Sequence, residues 1–373
     1  MFGPSPAAAR AWAVAAAGDR HVDASVWTVL PVEYGSPSPT TGGLYRVVGA
    51  DWSVFVEVVQ SFRHWDLLPV FPPHLRAEAL ATTSWRIEAD LYGSALGAIL
   101  PAGMRLPVVH AIDDDGDDRV VVVLEDVDAD RTPWDVARYA DAAGLLGRLD
   151  ARLTAATHLP TTELQAPGAL LRRYVDSRVV PLCVPALVDP ATWRHPLLAG
   201  HADLRDAFAE LASQVPALLD SLADFTQVRM HGDATPHNLL VARDRPDELV
   251  VIDWAMGAVA PAGEELGQLV LGGAHDGVLG PGDLVALRDV VVPAYVAGLA
   301  VEGVDAAEAE VRQAMDTAIT LRSGFSALPL ERLGEPVTDE LAALVAHRLE
   351  LTRHLVDVGL SLEGGVSALR GGR

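Results

Sequence analysis

The chain has 373 residues, with 28 basic and 51 acidic side chains, a formal net charge of −23, and half of its residues apolar. Nucleic-acid affinity is mostly phosphate neutralisation by a basic face, so this balance excludes a nucleic-acid binder, and the apolar content excludes extended disorder. A single cysteine, Cys183, rules out an intrachain disulfide and a cysteine-built zinc site and points to a reducing, cytoplasmic compartment.

In chain order, residues 11–18 are apolar but too short for a membrane span of roughly 20 residues, and read as a surface helix. No later apolar run escapes a charge or a proline for long enough to cross a bilayer, so no membrane partner is expected. Residues 27–35, 43–49 and 52–60 are rich in β-branched and aromatic side chains and read as strands, the last two forming a hairpin. Between the first two lies the polar, glycine-ending connection 36–43, with Thr41, Gly42 and Gly43 at its end. A proline-marked loop around Pro69, Pro72 and Pro73 precedes a helical stretch over 84–100 that carries Glu88. Two further strands, 106–113 and 119–127, flank the acidic run Asp113 to Asp118, a solvated hairpin tip.

Beyond Asp126 the periodicity turns helical, starting with Thr132 as N-cap and Pro133 at the first helical position. Helical patterns recur near 168–178, 203–222, 282–299, 305–325 and 337–360, with one β interval at 238–254. The layout is an α+β chain: a β-rich lobe over 1–125 with a small antiparallel sheet and one main helix, then a larger helical lobe over 126–373. Leu124, Glu125 and Val127 form the connection between them.

The strongest local signal is Met230-His231-Gly232-Asp233-Ala234-Thr235-Pro236-His237-Asn238, followed by Val251-Ile252-Asp253-Trp254. A symmetric hairpin between these segments sets Asn238 opposite Asp253, with Asp233 five residues before Asn238. One carboxamide oxygen and one carboxylate are hard ligands of the kind that hold Mg²⁺ in phosphoryl-transfer sites, and a further carboxylate can orient an acceptor hydroxyl. His231, directly before Gly-Asp, reads as a backbone-bonded structural residue. Tyr174, Trp134 and Trp193 read as packing.

The HGD-x₄-N and IDW elements resemble the catalytic and metal-binding segments of the aminoglycoside phosphotransferase family, which has a bilobal protein-kinase-like fold. The resemblance extends over most of the chain and implies that Asp233 is the catalytic aspartate and that Asn238 and Asp253 are magnesium ligands. It implies ATP or GTP as donor, a nucleotide held near Thr41, Gly42, Gly43, Leu124, Glu125 and Val127, and a small-molecule alcohol as acceptor. Glu265 falls near a family aspartate and is read as its lobe-stabilising substitute. The acidic surface would steer a cationic acceptor, and it would equally serve solubility.

The sequence departs from the family on the third strand. There the family has a lysine that reaches the nucleotide phosphates and pairs with a helix glutamate, the counterpart of Glu88. Here the position is Glu57, and lysine is absent from the whole chain: all 28 basic residues are arginine. A carboxylate about 4 Å from a phosphate charge, at an effective dielectric of about 20, costs on the order of 4 kcal/mol. Arg46, on the paired strand and on the face of Phe55 and Glu57, is the nearest substitute cation. Two readings stay open: a small-molecule phosphotransferase with a rewired phosphate clamp, and a pseudokinase acting as a binding or scaffold protein.

Overall fold

Alternating apolar residues build the first sheet. In the computed structural model, which describes residues 11, 12, 14, 27–33, 38–70, 73–275 and 279–370, β1 (Thr28–Pro31), β2 (Thr41–Val48), β3 (Ser53–Gln60), β5 (Val109–Gly116) and β6 (Arg119–Glu125) form one antiparallel sheet in the order β1-β2-β3-β6-β5. The two-residue strand β4 (Met104–Arg105) lies outside it. With period-two alternation, Tyr45, Val47, Val54, Val56, Val121 and Val123 gather on one face, where they are buried around Trp12. Trp12 packs on Tyr45 with ring centroids 5.6 Å apart. The described part of the expected helix over 11–18, residues 11, 12 and 14, is helical, but Trp12 makes it part of the core and not a purely superficial element. Glu57 occupies the opposite face, paired across to Leu44 on β2 and Val122 on β6.

The acidic run is a tight hairpin tip. Gly116 pairs with Arg119, and Asp117 and Asp118 between them have φ of 51° and 54°, the two left-handed residues that such a turn needs to match strand twist. Arg63 and Arg119 ion-pair with these aspartates. Among the described residues no group of three His, Cys, Asp or Glu side chains is arranged to hold a metal ion.

The helix over 84–100 is interrupted. It runs Ile87–Tyr92, stops at Gly93, and resumes at Leu96–Ile99, because the Ser94 hydroxyl donates to Leu91 O (2.6 Å) and accepts from the Leu96 N–H (3.2 Å). The proline-marked loop holds an unexpected helix, Pro73–Thr82, which Pro73 begins: proline is disfavoured inside a helix but suited to its first position. The next start also differs from expectation. The helix is Val136–Ala155, and its N-cap is Asp135, whose carboxylate accepts from the Arg138 N–H (2.8 Å), not Thr132.

Two compact units result. One comprises Met1–Arg131, His158–Glu163 and Leu239–Ala255; the other comprises Thr132–Thr157, Leu164–Asn238 and Met256–Arg373. The division is therefore not a single cut near residue 125. The hairpin of strands Leu239–Val241 and Leu249–Val251 belongs with the first sheet's unit because Leu249 and Val250 pair in parallel with β4.

The second unit is mainly helical. Its core contains Leu171, Trp193, Phe208, Leu211 and Phe325, and the short antiparallel strands Gln227–Met230 and Ala258–Pro261 lie within the same unit. The expected helices appear as Ala169–Tyr174, Asp203–Ser221, Pro281–Val301, Glu308–Ile319 and Asp339–Arg370. Leu266–His275 is a further helix whose paired glycines obscured its pattern. Two stretches have i→i+5 bonding: Val175–Cys183, which contains Pro181, and Thr320–Gly324.

The Pro281–Val301 helix is long and apolar enough to cross a membrane by length and composition. Here it lies along Val136–Ala155, with backbones close enough that a Cβ on Gly298 would stand 2.1 Å from Gly144 O and one on Gly147 would stand 2.2 Å from Tyr295 O. Only glycine permits this approach. Gly298→Ala is expected to destabilise the protein by about 3 kcal/mol through overpacking, read as a lower urea midpoint at unchanged slope; an unaltered midpoint would mean the helices separate at no cost.

Candidate functional site

Strand Gln227–Met230 ends by delivering the loop 231–238. Gly232 has φ +90°, and a Cβ there would lie 2.1 Å from Met256 O, so only glycine fits the turn. The loop is braced from within: the Thr235 N–H donates to Asp233 O (2.7 Å) and the Asn238 N–H to Thr235 O (2.9 Å). The Asp233 N–H donates to His231 Nδ1 (3.2 Å), so that nitrogen is an acceptor and the fully buried imidazole carries its proton on Nε2. His231 thus acts on the backbone.

Asp233 is held by three side chains. Its Oδ1 accepts from Gln268 Nε2 (2.9 Å) and Arg322 Nη2 (3.1 Å), and its Oδ2 accepts from Asn238 Nδ2 (3.1 Å). A carboxylate offers about four lone-pair sites, two per oxygen. Oδ1 is saturated, and Oδ2 keeps one acceptor position. Because Asn238 Nδ2 also donates to Asp233 O (2.8 Å), the amide is oriented with its nitrogen toward the aspartate and its oxygen left as the hard donor.

Arg322 and Gln268 were not foreseen from sequence. Arg322 lies 89 residues beyond Asp233 along the chain, and it projects from the Thr320–Gly324 turn, where an extra residue per turn redirects the side chain. Its guanidinium stands 5.8 Å from the Tyr174 ring centroid and its Nη1 reaches Gly232 O (3.4 Å). Tyr174 is therefore part of this constellation as well as packing.

Beneath the loop, Glu265 Oε2 accepts from the Gly232 N–H (3.1 Å). Burial lifts the Glu265 carboxyl to about 7 against the lowering influence of the Gly232, Asp150 and His231 bonds. Asp150, also fully buried, accepts from the Tyr295 hydroxyl (2.5 Å), and its own carboxyl is raised by burial first and by Glu265 second. Asp150 Oδ1 and Glu265 Oε1 are buried without a hydrogen-bond partner, and the charge of Glu265 adds to the rise of the Asp150 carboxyl.

The first unit gathers a different set. The ladder runs Leu239↔Val251 to Val241↔Leu249, one residue short of a register pairing 238 with 253, so Asp253 stands past its end. There Asp253 has φ +60°, which aspartate tolerates better than most residues. Glu88, buried on Ile87–Tyr92, accepts from the Trp254 N–H (3.3 Å). Glu57 accepts from the Thr41 hydroxyl (3.3 Å). Burial, then the charge of Asp253, raises the Glu57 carboxyl to about 8; Glu88 is raised by burial, then by Glu57 and Asp253. Three carboxyls share one field.

Arg46 does not relieve it. It pairs with Phe55 on the Glu57 face, but its Nε lies 2.8 Å from Asp126 Oδ2, so the expected substitute cation is neutralised elsewhere. Glu125 is similarly engaged: Arg105 grips it with two bonds (2.6 and 2.8 Å), holding its carboxyl below the usual range, and the Val108 N–H adds a third at 2.9 Å. Leu124 is buried in β6, and Val127 follows the strand. Thr41, Gly42 and Gly43 belong to β2, with a register irregularity between Thr41 and Gly43, and not to a separate loop.

The orientation forced on the Asn238 amide leaves its oxygen as a hard donor, and the Asp253 carboxylate offers another within its own unit; each by itself is a group of the type that suits Mg²⁺.

Residues 84–289 match the family model of the phosphotransferase enzyme family. Among solved structures, the chain is similar to a microcompartment-associated aminopropanol kinase, at 15% identity and a TM-score of 0.52 over 96% of this chain and 98% of that one. It is also similar to a spectinomycin phosphotransferase solved with ADP and spectinomycin, at 10% identity and a TM-score of 0.47 over 91% and 94% of the two chains. No curated protein sequence matches.

Proposed function

Because the chain belongs to the phosphotransferase enzyme family, we propose that it transfers the γ-phosphoryl group of ATP or GTP to a hydroxyl of a small molecule. The observation that carries this is the one acceptor position left on Asp233 Oδ2, with Oδ1 saturated by Gln268 and Arg322. An acceptor hydroxyl bonded there is oriented for in-line attack on the γ-phosphorus. The bond from the acceptor oxygen to phosphorus forms as the bond to the nucleoside diphosphate breaks, and the hydroxyl proton passes to Oδ2.

Asn238 and Asp253 are the proposed magnesium ligands; the ion supplies charge neutralisation on the phosphate oxygens when bound. Thr41, Gly42 and Gly43 would face the phosphates. The segment from Leu124 through Val127 would meet the nucleobase by its backbone, since the Glu125 side chain is held by Arg105. A small cationic acceptor agrees with the −23 charge.

The pseudokinase reading draws on Glu57, which stands where a phosphate-binding cation is expected. Titration calorimetry of ATP and GTP with and without Mg²⁺ decides: metal-dependent binding in the micromolar range is expected, and absence of binding at millimolar nucleotide would remove the phosphotransferase reading.

A further inference from the structure

The second unit holds an open groove of about 520 Å³, lined by none of the residues that bond Asp233. Its size falls within the roughly 300–1,000 Å³ of small-molecule sites. One side is formed by the segment 186–195 and the other by the segment 330–334. Its charge runs against that of the chain. Acidic residues outnumber basic ones 51 to 28 in the sequence, yet the lining includes Arg194 and His195 and no acidic residue. Arg194 is exposed and forms no ion pair with any described residue. The nearby Arg332, by contrast, is held by Glu335 through three bonds of 2.9 to 3.3 Å.

The backbone that carries this basic pair is fixed from below. Trp193, between Thr192 and Arg194, is only 4% exposed, and its Nε1 donates to Leu187 O (2.6 Å). The Thr192 hydroxyl donates to Ala186 O (2.7 Å). Opposite, Leu330 and Leu333 pack on the core cluster that contains Trp193. The Leu197 N–H donates to His195 Nδ1 (3.3 Å), so the neutral ring carries its proton on Nε2 and keeps that group as a donor. A platform ordered in this way loses little freedom when a ligand arrives.

We propose that this groove binds the carboxylate of an organic acid with an apolar body. The guanidinium fork of Arg194 matches a carboxylate bidentately and balances its single charge, and His195 Nε2–H supplies a further donor. Ala186, Ala191, Leu330 and Leu333 receive the apolar body. A phosphate dianion suits the groove less, because one guanidinium leaves half of its charge uncompensated and the apolar side chains uncovered. Repulsion from the net charge of −23 does not forbid an anion here. At physiological ionic strength exposed charges are screened beyond about 8 Å, so the local pair decides. The site goes beyond the phosphotransferase reading and does not depend on it.

The test titrates 4-phenylbutanoate, its neutral analogue 4-phenylbutanamide and inorganic phosphate into the full-length protein by calorimetry at neutral pH. The acid should bind with a submillimolar Kd, and the amide and phosphate each at least about tenfold more weakly, as loss of a charge-assisted bond or of the apolar contact requires. Arg194→Gln should weaken the acid at least about tenfold and leave the melting temperature of the free protein unchanged, because the side chain it replaces is exposed and unpaired. A measurement on the wild type alone reports on the same site: saturating acid should raise its melting temperature, and the amide at equal concentration should not. Equal affinity of the acid for both proteins, equal binding of acid and amide, phosphate bound as tightly as the acid, or no binding of the acid at millimolar concentration overturns the proposal.

Discussion

Asp233→Asn is expected to lower kcat for phosphoryl transfer by about 10³-fold, within the range that loss of a general base produces, while the fold survives. The carboxylate has two separable tasks. It anchors Arg322, Gln268 and Asn238, and on the proposed reading its remaining lone pair on Oδ2 takes the acceptor hydroxyl. An asparagine of the same shape keeps an oxygen for some of these donors but has one acceptor atom where there were two, and its amide cannot take a proton. Arg322 then loses its ion pair, a cost of about 1 kcal/mol for a partly exposed pair. A small fall in melting temperature should accompany the large fall in kcat, with nucleotide affinity unchanged. The result that would sink the assignment is turnover within tenfold of wild type, measured by coupled ADP release; equal loss of nucleotide binding would instead mark Asp233 as a structural support.

The motif around Asp233 was legible because its chemistry is local: His231, Gly232 and Asn238 serve Asp233 from within a few residues, through a tight turn that only glycine permits. The strands were legible for a similar reason, since alternation in 44–48 and 53–57 encodes which face is buried, and the unbroken apolar run 120–124 marks a strand covered on both faces. What stayed hidden depends on distant chain segments. Arg322 reaches Asp233 only because a wide turn interrupts its helix, and no propensity of Thr320 to Gly324 announces that. Glu264 looks like any surface glutamate in sequence, and its isolation arises from tertiary burial. The helix starts at Pro73 and Asp135 were misplaced because proline and threonine each suit two roles, and neighbouring packing selects one. Arg46 was a sound candidate by register, and Asp126, 80 residues further along, takes its charge instead.

Replacing Glu57 by lysine should raise both stability and nucleotide affinity. In the first unit Glu57, Glu88 and Asp253 act on one another's charges, and no arginine among the described partners neutralises Glu57. With its carboxyl near 8 in the folded protein and its ordinary value of 4.5 in the unfolded chain, Glu57 keeps a proton that the unfolded chain has already lost between these pH values. The unfolded state therefore binds fewer protons, and Glu57's contribution to stability falls as pH rises from about 4 to about 8. Each pKa unit corresponds to about 1.4 kcal/mol, and solvent contact and mutual coupling reduce the sum to roughly 2 to 4 kcal/mol. Glu57→Gln should thus flatten the decline of melting temperature between pH 5 and 8, and a wild type whose melting temperature is flat over that range would contradict the account. Glu57→Lys goes further, since it adds an attraction to Glu88 and Asp253 where there was repulsion, and presents a cation to phosphate. The expected gain in Mg-nucleotide affinity is at least about tenfold, well inside the several kcal/mol that a reversed charge commands at close range. An unchanged affinity in the lysine variant would show that the phosphates never approach this strand, and that the clamp of this enzyme has moved elsewhere.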